Sequence, residues 1–67
     1  MISVTVNDEP HSLPDGSTVV DLLTSMELGP KWVVVERNGE PVERRDMATT
    51  VLCDGDVLEL VKAVAGG

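Results

Sequence analysis

The sequence predicts an α+β fold in which a mixed sheet of four or five strands carries one main helix across one face. Three observations predict it. Ile2, Val4 and Val6 alternate with Ser3, Thr5 and Asn7, the period of a half-buried strand. Val19, Leu22, Leu23 and Met26 recur at i, i+3, i+4 and i+7, one apolar stripe over about two helical turns. Val33, Val34 and Val35 form an uninterrupted β-branched run, suited to a strand in the interior of a sheet.

In chain order, the strand at 1–7 is followed by a turn at Asn7-Asp8-Glu9-Pro10 and a short return strand at His11-Ser12-Leu13, which together make a hairpin. Pro10 has no N–H to give a ladder, so the start of the return strand belongs at a sheet edge. Pro14-Asp15-Gly16-Ser17 breaks the pattern, and Thr18 or Ser17 caps a helix over about 18–27. With Thr18 as N-cap, Asp21 falls at N3, a capping box with Asp in place of the usual Glu. Such a short helix is not stable alone and needs the sheet's apolar face. Gly29-Pro30 supplies a stop, a glycine followed by a residue that cannot continue a helix.

The run from Lys31 to Arg37 reads as a strand, and Asn38-Gly39 as a type I′ turn with positive φ. Glu40-Pro41-Val42 reads as a short edge segment. Glu43-Arg44-Arg45-Asp46 reads as a solvated loop or single helical turn, with Met47 plugging the core. Thr50-Val51-Leu52 reads as a further short strand, and Asp54-Gly55-Asp56 as the turn into a closing strand at 57–62. There Leu58 and Leu60 face the core, while Val57, Glu59 and Val61 face outward and form a candidate docking patch with Lys62. The chain divides into a folded domain, 1–62, and a flexible tail, 63–67.

Composition narrows the function. Sixty-seven residues make one small domain, too small to enclose a deep active site without losing much of its core. One cysteine and one histidine exclude an intramolecular disulfide and the common cysteine–histidine zinc sites, so no metal is expected. Twelve acidic residues against five basic ones give a net charge of −7, which opposes nucleic-acid binding and favours a basic protein partner. No apolar segment is long enough to span a membrane, and no secretion signal is evident, so the expected location is cytoplasmic. Cys53 reads as a small inert residue beside two aspartates, His11 as a surface or hairpin residue, and Trp32 as core or core edge with a partner anchor as the alternative.

The tail carries the chemistry. Gly66-Gly67 closes the sequence, an arrangement expected by chance at about 0.5% given the average glycine content. Two residues without Cβ add little to a core and are costly to order. Their merit is slenderness: with Ala63 and Ala65 they form a thin tether able to thread a narrow channel and place a bare carboxylate in a partner's active site.

Six short segments, in this order and at this length, carry a resemblance that covers essentially the whole chain. They are Leu13-Pro14-Asp15-Gly16-Ser17-Thr18-Val19 leading into Asp21-Leu22-Leu23, Val33-Val34-Val35 with Asn38-Gly39-Glu40, Asp54-Gly55-Asp56, and Ala63-Val64-Ala65-Gly66-Gly67. On these the chain resembles the ThiS-type sulfur carrier proteins of thiamin biosynthesis, members of the β-grasp, ubiquitin-like group and relatives of the molybdopterin synthase small subunit. Trp32 and Arg37 stand where that family commonly has a small and an apolar residue.

The resemblance implies that the chain is a protein cosubstrate, not an enzyme. The Gly67 carboxylate would be adenylated with ATP by an E1-like adenylyltransferase of the ThiF or MoeB type. A sulfur donor such as a cysteine desulfurase or rhodanese-like protein would then convert it to a thiocarboxylate, and a thiazole synthase of the ThiG type would take the sulfur. Ala65 and Gly66 would pass through the partner's channel, and the carrier itself would hold no cofactor. Three alternatives stay open on the sequence: the molybdopterin synthase small subunit, a ubiquitin-like modifier joined to lysines through Gly67, and a binding module whose tail is irrelevant.

Overall fold

Strand β1 (Ile2–Val6) turns back into β2 (Glu9–Leu13), helix α1 (Val19–Ser25) follows, β3 (Val33–Arg37) turns into β4 (Glu40–Val42), and β5 (Val57–Lys62) closes the domain. These elements come from a computed structural model that describes residues 1–62. The five strands form one mixed sheet in the order β2-β1-β5-β3-β4. β5 runs parallel to β1 and antiparallel to β3, so the last strand in sequence is the middle strand in space. The valine-rich β3 is interior as expected, but it lies one place off centre. Both edge strands carry a proline, Pro10 in β2 and Pro41 in β4, which removes a ladder donor where another chain would otherwise add on.

The core lies between α1 and one face of the sheet. Val19, Leu22 and Leu23 of the helix meet Val4, Val6, Val33, Val35, Leu58 and Leu60 of the strands, with Leu13, Met47 and Leu52 sealing its margins. A seven-residue helix has no independent stability. Burying three aliphatic side chains at about 1.5–3 kcal/mol each is what holds it in place. Its start is also satisfied: Thr18 Oγ1 accepts from Asp21 N–H at 3.2 Å, and Asp21 Oδ2 accepts from Thr18 N–H at 2.9 Å. The next donors, Val19 and Val20 N–H, reach the carbonyls of Thr50 and Met47. Thr18, not Ser17, is therefore the cap; Ser17 is buried and donates from Oγ to the Pro14 carbonyl.

Four boundaries differ from the sequence reading. The first turn is only Asn7-Asp8, both at positive φ, and the return strand begins at Glu9. The helix ends before Gly29, at Glu27, which takes the left-handed conformation with φ 58°. Glu27 N–H then donates to Thr24 O and Leu28 N–H to Leu23 O, closing a Schellman motif with Leu28 set over the core. Pro30-Lys31-Trp32 forms a 3₁₀ turn, so β3 starts at Val33 and Trp32 is 55% exposed, not core. Thr50-Val51-Leu52 makes a single bridge, Thr18 to Val51, in place of a strand.

Candidate functional site

β5 ends at Lys62, where the described residues stop, so the strand that leads into the tail is the middle strand of the sheet, paired on both sides. Two hairpin corners grip it by the same device. At Asn7, where the chain leaves β1, the backbone N–H donates to Leu58 O. The Asn7 side chain then supplies the next rung: Oδ1 accepts from Leu60 N–H at 2.9 Å and Nδ2 donates to Leu60 O at 3.2 Å. At Asn38, where the chain leaves β3, the backbone N–H donates to Val57 O and Oδ1 accepts from Val57 N–H at 2.9 Å. In each case a side-chain oxygen stands where the ladder needs a carbonyl and the turning backbone has swung its own away. Asparagine suits both places because it tolerates positive φ, here 49° and 52°.

Asp56 fixes the start of β5. Its carboxylate is buried and accepts from Arg37 Nε at 2.8 Å, Asn38 Nδ2 at 3.1 Å and Cys53 N–H at 2.8 Å. Burial alone would raise its pKa. The Cys53 N–H, the Asn38 amide and the Arg37 guanidinium outweigh that and hold it below the usual carboxylate range. Arg37 is shifted upward in turn, chiefly by its hydrogen bond to Asp56. The preceding Gly55 sits at φ 88°, which a residue with Cβ adopts only under strain, and its N–H donates to Ser3 O. Cys53 is exposed, with Arg37 Nη2 3.7 Å from its sulfur, so the acidic surroundings read from its sequence neighbours are offset by a cation.

The sheet face away from α1 is open. There Val34 and Val61 pair across β3 and β5, 54% and 61% exposed, and Val57 lies beside Thr5 of β1. Glu36 and Glu59 oppose each other in the same register, two like charges side by side. Of the residues expected to dock a partner, the fold thus brings Val57, Glu59 and Val61 onto one surface. Lys62 pairs with the buried Val33 and belongs to the helix side of the sheet, so it is not part of that patch. Ala65, Gly66 and Gly67, the expected reacting end and its tether, lie outside the described residues. The sequence reading missed Val34, whose place on the outer face follows only once β3 is paired with β5. It also missed Asn7, Asn38, Arg37 and Asp56 as the supports of the strand. Asparagine at both hairpin corners was their only local signal.

Among the described residues no group of three or more His, Cys, Asp or Glu is placed to hold a metal ion, and no helix is long and apolar enough to cross a membrane. An open groove of about 590 Å³ runs beside β4, lined by Arg37, Glu40, Val42, Asp46, Thr49 and Thr50. Its one cation is already committed to Asp56.

Comparison with known proteins places this architecture. Residues 3–67 match the model of the ThiS family. The chain is 45% identical over 53 residues to the sulfur carrier protein ThiS of Bacillus subtilis, covering 79% of this chain and 80% of that one. It is 35% identical over 66 residues to a thiazole synthase of Magnetococcus marinus, where the match takes up 98% of this chain but only 20% of the relative. Among solved structures, the crystal structure of the thiamine biosynthesis protein ThiS from Geobacter metallireducens superposes with a TM-score of 0.82 at 32% identity, over 98% of this chain and 100% of that one. The family match over residues 3–67, the sequence likeness and the superposition over nearly the full length show that the chain belongs to the ThiS family of β-grasp sulfur carrier proteins.

Proposed function

We propose that this protein carries sulfur for thiazole formation in thiamin biosynthesis as a thiocarboxylate on Gly67, acting as a cosubstrate of other enzymes. The observation that carries the reading is family membership over residues 3–67, a span that includes the Gly-Gly end. A carboxylate is a poor electrophile. Attack of the Gly67 carboxylate oxygen on the α-phosphorus of ATP expels pyrophosphate and leaves an acyl-adenylate. A persulfide sulfur of a donor protein attacks the carbonyl carbon, AMP departs, and an acyl disulfide remains. Attack by a thiol on its S–S bond releases the thiocarboxylate and leaves a disulfide on the donor side. The thiocarboxylate sulfur then bonds to an electrophilic carbon of the thiazole precursor, and attack of water on the resulting thioester leaves the sulfur on the precursor and returns the Gly67 carboxylate.

The carrier's own part is placement. β5, held by Asn7, Asn38 and the Asp56 network, gives the tail a rigid root, and such positioning supplies much of the rate in the partner's site. Ala65 and Gly66 keep the tether thin. The adenylyltransferase docks on Val34, Val57, Val61 and the Glu36–Glu59 pair, with basic side chains meeting the glutamates. The likeness to thiazole synthases of Magnetococcus marinus and Paramagnetospirillum magneticum, each covering 98% of this chain, supports thiazole over molybdopterin as the destination of the sulfur and a thiazole synthase as a partner. A reaction that consumes ATP supports a cytoplasmic location.

The test is complementation of a thiamin-requiring strain that lacks its own carrier. The full chain restores growth without thiamin, and a version lacking Gly66 and Gly67 does not. Equal rescue by both would overturn the proposal.

A further inference from the structure

We propose that Trp32 is the anchor by which the adenylating enzyme seats itself at the root of the tail, an inference that rests on the carrier reading above. Val33 pairs with Lys62, so Trp32 stands one residue before that pair, at the end of the sheet where β5 passes into residues 63–67. Five residues reach at most about 18 Å even when fully extended. An enzyme that takes the Gly67 carboxylate to its ATP must therefore bring its surface against this end of the sheet. Trp32 meets it there.

Three features fit Trp32 to that task. At 55% exposed it is the largest apolar side chain open to solvent among the described residues, and it follows Gly29-Pro30 two positions ahead of Val34, itself part of the exposed valine pair. It is also held in place. Its backbone N–H donates to Gly29 O at 3.0 Å, Pro30 fixes the turn, and the indole edge lies so close to Gly29 that a Cβ there would sit 3.2 Å from Cδ1. A side chain fixed before binding loses little freedom on docking, and a tryptophan buried in a partner's pocket is among the strongest anchors at protein interfaces.

Charge identifies the kind of partner. The chain carries −7 overall, and Glu36 opposes Glu59 on the face beside the anchor. A second copy of this chain would bring four glutamates together. The surface that fits has an apolar pocket for the indole, set in a basic rim.

Trp32 is the chain's one tryptophan, and there is no tyrosine, so its emission reports this position alone. The experiment titrates the full chain with the adenylyltransferase of the same organism in the presence of ATP, following emission, adenylation rate and KM. The enzyme's own tryptophans are replaced for the emission reading, or Trp32 is incorporated as fluorotryptophan and its resonance is followed by NMR. We expect a blue shift on complex formation. We expect the Trp32→Ala variant to raise KM for the carrier by roughly 30-fold, the effect of losing a strong anchor, with most of that loss recovered by Trp32→Phe. If wild type is adenylated while its Trp32 signal stays unchanged and Trp32→Ala keeps KM within twofold, the anchor is overturned and the carrier reading stands. If wild type itself is not adenylated, the carrier reading falls and the anchor with it.

Discussion

The side-chain amide of Asn7 takes the place of a peptide group against Leu60, accepting from its N–H at 2.9 Å and donating to its carbonyl at 3.2 Å. The parallel pairing of β1 with β5 thereby extends one rung past the point where β1 turns away. Asn7→Gly keeps the positive φ and deletes both bonds. With each bond worth about 0.5–1.5 kcal/mol net, the variant should lose about 2 kcal/mol. Thermal unfolding should show a Tm lower by about 10 °C, and amide exchange at Leu60 should quicken. An unchanged Tm would mean that water replaces the asparagine without cost.

The buried carboxylate of Asp56 should matter more. Asp56→Asn leaves Arg37 without its counter-charge and weakens the bond to the Cys53 N–H, at a cost of about 3 kcal/mol in a urea titration.

The same group sets an acid limit. Its folded-state pKa lies below the unfolded value of about 3.9, so its stabilisation is present in full above that pH and is lost as the pH falls through the folded value. Urea midpoints measured downward from pH 6 should therefore drop more steeply below about pH 4 for wild type than for Asp56→Asn. Parallel curves would show that Asp56 binds a proton equally in both states.

Glu27 occupies the left-handed position that ends α1, at φ 58°, where a side chain costs about 1 kcal/mol. Glu27→Gly should raise Tm by about 4–8 °C. The change lies away from β5 and should leave adenylation alone.

Glu36 and Glu59 face each other on the open side of the sheet. Glu36→Lys turns that repulsion into attraction and should stabilise the domain by up to about 1 kcal/mol. If a basic enzyme surface docks there, the same variant should raise KM for adenylation and flatten its dependence on salt. Stability and partner affinity moving in opposite directions would mark the pair as kept for binding.

Local pattern made much of this fold legible. The alternation at Ile2–Val6, the Thr18–Asp21 capping box and the Asn38-Gly39 turn are each governed by residues close in sequence, and each is present as read. What was not legible depended on longer-range or competing choices. The sequence offered Gly29 as the helix stop, but the chain turns at Glu27 because that places Leu28 over the core. Trp32 looked like part of a strand until Pro30 drew it into a 3₁₀ turn. Lys62 joined the outward patch by proximity in sequence, whereas alternation along β5 sets it on the other face, with Leu58 and Leu60. Asp56 read as a turn residue because its partners, Arg37 and Asn38, lie 19 and 18 positions away.

Whether the Gly67 carboxylate carries the sulfur is tested most directly by intact-mass spectrometry. After incubation with ATP, the cognate adenylyltransferase and a persulfide donor, the chain should gain the mass difference of one oxygen exchanged for one sulfur. Fragmentation should place that gain on Gly67. An unchanged mass, with the same enzyme demonstrably modifying another carrier, would contradict it.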